Sequence, residues 1–283
     1  MKEPKRINCK LTEEQLRDLG EPIAYFTMKL PKEAKNLGKQ ASKERVGLEA
    51  ICVQPERGKI IASDARILTA MGVDCEGVWP DDKDGKTFEC FIDPKAISSL
   101  AGKLVDIAVW TDYKGAHDVT ACEATGVCSQ YQLTNAKYPN WEKAMPTDDG
   151  CNIVMAESAL ETLRKFVKSN MGKTKKEREK RYVVFGASKE ADDVMIQIVD
   201  ETEEYSNEYT LIAKEQFDIK SNYPEHDIRM AFNAELFYYS VQEDFNGSIW
   251  FRNENSPVKF NGKMRESILM PMQLWGGDET YFK

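Results

Sequence analysis

Short runs of period-two alternation along this chain lead directly into runs of helical spacing, and the same succession comes round twice. Phe88, Cys90 and Ile92 alternate, after which Asp93 offers a capping side chain and Pro94 the fixed φ of a first helical position. That predicts a strand running into a helix. Ile228, Met230 and Phe232 alternate in the same way before Asn233, and the two caps stand 140 residues apart. A short strand follows each helix, "DIAVW" at 106 and "GSIWF" at 247, and a last strand closes each half on one dipeptide, "SQYQL" at 129 to 133 and "MPMQL" at 270 to 274, both displaced by 141.

The front halves follow the same plan. "INCKL" at 7 and "CNIVM" at 151 predict opening strands, each leading to a helix: Leu16, Leu19, Ile23 and Phe26 fit one apolar stripe, and Leu160, Leu163, Val167 and Met171 the other. Strand pairs follow in "LEAICVQPERGKIIASD", turned by Pro55 and Gly58, and in "RYVVFGASKEADDVMIQIVD". The order strand, helix, several strands, helix, several strands therefore occurs twice. The expected fold class is α+β: two tandem similar domains, each with two helices on an antiparallel sheet.

A chain of 283 residues, 41% hydrophobic and 30% charged, is natural for two domains of ordinary size and excludes wholesale disorder. We place the first domain at 1–146, including a connector at 134–146, and the second at 147–283 with a tail at 275–283. No run of 18 apolar residues occurs, and the start "MKEPKRINCKLTEEQ" has no apolar stretch behind its basic residues, so neither membrane nor secretion is expected. The seven cysteines are scattered, odd in number and never spaced C-x-x-C. Several sit where small buried hydrophobes would, which points to a reducing, cytoplasmic setting.

Charge changes the picture through its distribution. The net −8 hides a stretch from Arg164 to Arg181 with nine Lys/Arg against Glu177 and Glu179, a local +7 that leaves −15 elsewhere. A second run, Lys29 to Arg45, has six Lys/Arg against Glu33 and Glu44, a local +4. Such segregation suits an attractive strip for phosphates on an otherwise repulsive body. Arg164 and Lys168 stand at i, i+4, away from the apolar stripe of their helix.

Catalytic signatures do not accompany these strips. "MGKTKKE" carries the Gly-Lys-Thr of a phosphate loop, but Val167 stands where the first glycine belongs and the segment follows a helix. "DDKDGKTFE" would need ligands at Pro80 and Phe91 to be a calcium loop. His117 and His226 lie far apart in polar stretches, and no Ser or Cys pairs with a His and an acid in a local signature. The reading is of a non-enzyme with no cofactor and no metal.

"GLEAICVQPERGKIIASDARIL", "FIDPKAISSL", "AKYPNWEKAMP" and "FNAELFYYSVQ…SPVKFNG…SILMPMQL" resemble, in order, segments of the last two of three domains in the bacterial DNA polymerase III beta subunit, the sliding clamp. The resemblance runs from about residue 7 to Leu274. Its specific parts are the Tyr-Pro-Asn-Trp-x-x-x-Met-Pro connector at 138 to 146 and the Met-Pro-Met-Gln-Leu ending. It implies the DNA clamp fold and a ring of six domains enclosing duplex DNA, with helices lining the hole. Two domains per chain then require a head-to-tail homotrimer. The implied function is a DNA sliding clamp, a processivity factor in DNA replication, cytoplasmic and nucleoid-associated. It would hold DNA without reading sequence and bind polymerase and clamp loader through short linear peptides. An alternative is a clamp-like interaction protein that binds partner peptides without encircling DNA.

The DNA-facing candidates are Lys32, Lys35, Lys39, Arg164, Lys165, Lys168, Lys173, Lys175 and Lys176, with the helical residues favoured over those expected in loops. The resemblance further implies a peptide groove made by Ser63, Asp64, Ala65, Arg66 and Leu68, by Pro139, Lys143 and Ala144 of the connector, and by Leu269, Met270, Pro271, Met272, Gln273 and Leu274 of the ending. The family commonly reads Thr-Asp-Gly-His-Arg-Leu where this chain has Ser-Asp-Ala-Arg-Ile-Leu, and Arg where Gln273 stands. Family clamps tend to stop at the leucine. Here "WGGDETYFK" follows, which reads either as a disordered end or as a tail whose Trp275, or Tyr281 with Phe282, folds back over the groove or onto a neighbouring subunit.

Overall fold

Ala24, Phe26, Met28 and Leu30 are buried while Tyr25, Thr27 and Lys29 are not, and this strict alternation makes Ala24–Lys29 the strand β1 in the computed structural model of the chain. The structure describes residues 21–41, 48–80, 87–111, 117–123, 128–132, 138, 140–146, 150–188, 193–201, 209–222, 227–242 and 244–272. The helical stripe expected through Ile23 and Phe26 is corrected here. Two positions three apart satisfy either period, and the ladders on both sides of β1 decide for the strand. "INCKL", Leu16 and Leu19 lie outside the described residues. The helix comes later, inside the basic run, as a 3-10 turn Lys32–Asn36 continuing into α1, Leu37–Gln40.

Two compact units divide the chain, Met1–Asn140 and Trp141–Lys283. In the first, β2 (Ile51–Gln54), β3 (Lys59–Ser63), β4 (Ile67–Gly72) and β5 (Asp74–Val78) follow α1, then β6 (Cys90–Ile92), α2 (Pro94–Leu100), β7 (Leu104–Thr111), β8 (His117–Glu123) and β9 (Cys128–Gln132). Antiparallel pairing gives the orders β6-β2-β3-β4 and β5-β1-β7-β8-β9. The second unit runs β10 (Cys151–Met155), α3 (Glu157–Asn170), α4 (Lys175–Lys180), β11 (Arg181–Ala187), β12 (Asp193–Glu201) and β13 (Tyr209–Asn222). It ends with β14 (Ile228–Asn233), α5 (Ala234–Ser240), β15 (Phe245–Phe251), β16 (Val258–Gly262) and β17 (Arg265–Leu269). Its order is β14-β11-β12-β13-β10-β15-β16-β17.

If β4 and β5 together stand for β13, the two orders are the same. The repeat read from the caps is therefore a repeat of topology, and Asp93 and Asn233 each accept the backbone amides that open α2 and α5. Two details differ from expectation. The second unit has a further helix, α4, for which the described residues of the first show no counterpart. And β9 corresponds to β17, so the closing strands are offset by 137 (Cys128 to Arg265), while Leu133, Gln273 and Leu274 of the shared dipeptide lie outside the described residues. β17 ends at Leu269 because Pro271 has no amide to continue the ladder.

Each core lies between sheet and helices. In the first unit Phe26, Met28, Leu37, Ile51, Ile60, Ile92, Ile97 and Ile107 belong to one buried cluster. In the second, Phe232, Phe237, Phe245 and Phe260 pack with ring centroids 5.5 to 6.2 Å apart. Cys52 and Cys90 are buried free thiols, and burial pushes both well above the ordinary thiol range. They serve as small hydrophobes.

Gly38 sets how closely the first unit's helices approach. A Cβ there would overlap Ser98 Oγ and the Pro94 carbonyl oxygen, while Ser98 Oγ donates to the Lys35 carbonyl at 3.4 Å. Gly38→Ala should therefore lose about 1–3 kcal/mol despite alanine's better helix propensity. A urea midpoint raised rather than lowered would show that the two helices are not in close contact.

Candidate nucleic-acid and partner-peptide surfaces

The first unit presents its cations on two helices held side by side. Ala34, Leu37 and Gln40 turn inward from the segment Lys32–Gln40, which leaves Lys32, Lys35 and Lys39 exposed on the other side. They were expected in a loop and stand on a helical segment. On α2, Ala96, Ile97 and Leu100 are buried and Lys95 is exposed. Lys95 was missed by sequence reasoning. The signal was present, because its place beside the Asp93 cap and off the apolar stripe sets it outward. Among the described residues, Lys32, Lys35, Lys39 and Lys95 make no ion pair.

In the second unit the candidates divide. Ala159, Leu160, Leu163 and Val167 bury one side of α3. Arg164 is half-buried: its Nε donates to the Val241 carbonyl at 2.9 Å and its Nη2 to the Phe245 carbonyl at 3.1 Å, tying α3 to the end of α5 and the start of β15. Lys165 is exposed and meets Glu161 at 2.6 Å. The Lys165 hydrogen bond, then its charge, holds the Glu161 carboxyl below its ordinary range. Lys168 is exposed on the last turn.

Lys173, Lys175 and Lys176 were expected in a loop, but Lys175 and Lys176 open α4 and Lys173 precedes its cap. Thr174 and Glu177 form a reciprocal capping box, the Glu177 carboxylate accepting from the Thr174 amide at 2.9 Å and the Lys173 amide at 2.6 Å. Those backbone hydrogen bonds hold the Glu177 carboxyl below its usual range. Lys175 lies 3.6 Å from Glu179, an exposed pair of small energetic weight. Arg178 fixes the helix by pairing with Glu235 at 3.3 Å, while its carbonyl accepts from Asn233 Nδ2 at 3.1 Å. Lys173 and Lys176 remain exposed.

The groove candidates are described within each unit. In the first, Ser63 to Leu68 make a tight, self-satisfied turn. The Asp64 carboxylate accepts from the Arg66 amide at 2.8 Å, the Ile67 amide at 2.9 Å and the Arg66 guanidinium at 3.0 Å. Ser63 Oγ donates to the Ile67 carbonyl and accepts from the Ala65 amide. Ala65, at φ 73°, and Arg66 are exposed, while Ser63 and Leu68 are buried. Tyr138, at the connector, is buried against Phe91 and donates to the Ile61 carbonyl at 3.3 Å.

In the second unit, Trp141–Ala144 form a 3-10 turn with Lys143 exposed. Leu269 is buried at the end of β17, whereas Met270 and Met272 are 42% and 41% exposed around Pro271. Pro139, Gln273, Leu274 and the tail 275–283 lie outside the described residues. Among the described residues no cluster of three His, Cys, Asp or Glu is placed to hold a metal.

No protein-family model matches this chain, and no curated protein does. The likeness is to solved structures. The DNA polymerase sliding clamp of Pseudomonas aeruginosa is similar at 16% identity and TM-score 0.61, over 90% of this chain and 68% of that one. The DNA polymerase III beta subunit of Thermotoga maritima is similar at 16% identity and TM-score 0.64, over 94% and 68%. A Helicobacter pylori beta clamp bound to a DNA ligase peptide is similar at 12% identity and TM-score 0.58, over 90% and 67%. The chain thus has the sliding-clamp fold, in mixed α+β form with large antiparallel sheets and few helices, and spans about two thirds of the length of these clamps.

Ala65 occupies, in the left-handed region, the place where the family sequence quoted above carries glycine. A Cβ there costs about 1 kcal/mol, partly offset by the greater freedom glycine has when unfolded. Ala65→Gly should raise stability by roughly 0.5 kcal/mol. A lowered urea midpoint would contradict the left-handed turn.

Proposed function

We propose that this chain is a non-enzymatic DNA sliding clamp, a processivity factor that closes as a head-to-tail homotrimer around duplex DNA and tethers polymerase and clamp loader through short peptides. The observation that carries the reading is the clamp fold built twice in one chain with a single strand order. Each unit is read as one clamp domain, with the division inside the connector 134–146. Three chains then supply six domains.

The sheet edges support head-to-tail closure. Among the described residues of its own unit, β9 has a ladder with β8 alone, and the stretch Thr210–Phe217 of β13 has one with β12 alone. The two edges belong to different units, so a contact between them is heterologous and closes only as a ring. Unpaired lysines support phosphate contact without base readout. Such contacts are individually weak and let a ring slide once enclosure supplies retention. Exposed Met270 and Met272 beside Pro271 support an adaptable peptide surface. No helix among the described residues is long and apolar enough to cross a membrane.

The test has two readouts. Native mass spectrometry should give three times the 32.3 kDa chain. Rings loaded on nicked circular duplex should stay bound in salt that strips phosphate contacts, and should leave when the circle is linearised. A monomeric mass together with peptide binding but no retention would replace the ring with a clamp-like peptide-binding protein.

The same assay separates the lysines. Replacing Lys32, Lys35, Lys39 and Lys95 with Gln should lower the salt dependence of duplex binding by up to about one unit of slope per lysine that touches phosphate. Lys165→Gln should change it less, because Glu161 already neutralises that site. Equal effects would sink this division of labour.

A further inference from the structure

The helices α2 and α5 can be compared position by position, because Asp93 and Asn233 cap them in the same way. Counting from the cap, Lys95 stands where Glu235 does, Ser98 where Tyr238 does and Ser99 where Tyr239 does. The buried sides agree, with Ala96, Ile97 and Leu100 inward in one helix and Leu236, Phe237 and Ser240 in the other. The solvent sides differ: a lysine and two serines in the first unit, a carboxylate and two tyrosines in the second.

In the first unit this side offers an incoming strand only charge. Ser98 Oγ donates to the Pro94 carbonyl at 3.0 Å and Ser99 Oγ to the Ala96 carbonyl at 2.8 Å, so both hydroxyls serve their own helix. In the second unit the carboxylate is answered from α4. Glu235 Oε1 lies 3.3 Å from Arg178 Nε and accepts from the Tyr239 hydroxyl at 3.5 Å. Arg178 also donates from Nη1 to the Lys173 carbonyl at 3.2 Å, which ties the lysine-bearing turn to the same place. What α5 leaves toward water is aromatic. The Tyr238 and Tyr239 rings are both half-buried, with centroids 6.3 Å apart, and among the described residues the Tyr238 hydroxyl has no hydrogen-bond partner. Cations lie beside the pair, because α4 is only six residues, about 9 Å, long. Lys175 and Lys176 are exposed on it and Lys173 just before it.

Duplex DNA presents phosphates to lysines but no base face to a ring, since its bases are stacked on one another. An unpaired strand presents both. We propose that the α4–α5 surface of the second unit is a site for single-stranded DNA, in which the lysines hold phosphates and Tyr238, flanked by Tyr239, stacks an unpaired base. Arg178 and Glu235 are positioning residues, since they fix the cationic helix against the aromatic one. The site needs no ring, because all its residues belong to one unit. Only its placement, beside the duplex that a ring would enclose, rests on the clamp reading.

Fluorescence anisotropy tests it on the full chain, with a labelled thymidine oligonucleotide of about 15 nucleotides and with a blunt duplex of the same length. Tyr238→Ala should weaken oligonucleotide binding by about tenfold and leave duplex binding within about twofold, whereas Tyr238→Phe keeps most of the affinity because the ring remains. An equal loss on both ligands overturns the site, and so does an unaltered chain that does not bind the oligonucleotide. A second measurement uses the unaltered chain and so covers a variant that does not fold. An oligonucleotide carrying iododeoxyuridine, irradiated in the complex, should crosslink to Tyr238 or Tyr239, and a crosslink confined to other residues overturns the stacking. None of these outcomes bears on the native mass or the retention on circular DNA by which the ring is judged.

Discussion

One stretch of backbone in each unit is hydrogen-bonded to two different ladders, on opposite edges, and the rest of the unit is built around that crossing. In the second unit β13 pairs with β12 from Tyr209 to Asp218 and with β10 from Ile219 to Asn222. In the first unit the same path is broken at Val73, with β4 on β3 before it and β5 on β1 after it. The break is pinned by the Val73 amide donating to the Gly58 carbonyl at 2.8 Å. Gly58, at φ 56°, has no room for a Cβ against the Val73 carbonyl. Because one segment serves both ladders, the sheets must bend toward each other and enclose the apolar face that the helices cover. Where the path crosses over, the Ala156 amide donates to the Asp218 carbonyl at 2.9 Å and the pairing passes from β12 to β10.

The positions of the caps and strands were legible because they obey local rules. Asp93-Pro94 and Asn233 announce their helices with side chains that accept the opening amides, and the alternation before each cap is unbroken. The stripe through Leu16, Leu19, Ile23 and Phe26 misled because Ile23 and Phe26 fit helical spacing and alternation alike, and what decides is the pairing of β1 with β5 and β7, far off in sequence. The lysine-bearing segment at 32 to 40 looked like a loop for a related reason. It is short, it begins after Pro31, and its apolar positions Ala34 and Leu37 are too few to show a period.

The ending shows a different limit. Matching dipeptides at 132–133 and 273–274 suggested equivalent strands, but the β8–β9 connection spans 124–127 whereas β16 and β17 are joined by Lys263 and Met264 alone. β8 and the loop after it are each two residues longer than β16 and its loop, and together they displace the apparent repeat from the real one. For the candidate site, sequence could name the lysines but not their partners. Whether Lys165 or Lys95 carries a free charge depends on Glu161 lying one turn away in one case and on the absence of such a neighbour in the other. The Arg178 to Glu235 pair, 57 positions apart, had no local signal at all.

The second unit's cations are divided by chemistry as well as by place. Arg164 forks onto two carbonyls, while Arg178 lies 3.3 Å from Glu235, Arg181 3.4 Å from Asp200 and Arg265 2.7 Å from Asp244, all with most of their surface removed from water. A planar guanidinium suits such fixed, directional work, and its charge is then committed to the fold. Lys32, Lys35, Lys39 and Lys95 in the first unit, with Lys168, Lys173 and Lys176 in the second, keep a hydrated point charge on a flexible stem. A surface that must release one phosphate as readily as it takes the next gains from that flexibility, since no geometry is specific enough to hold a register. Bidentate arginines in the same places would bind duplex more tightly and move along it less freely, so on the sliding-clamp reading proposed above, outward lysines suit a ring that relies on enclosure rather than affinity.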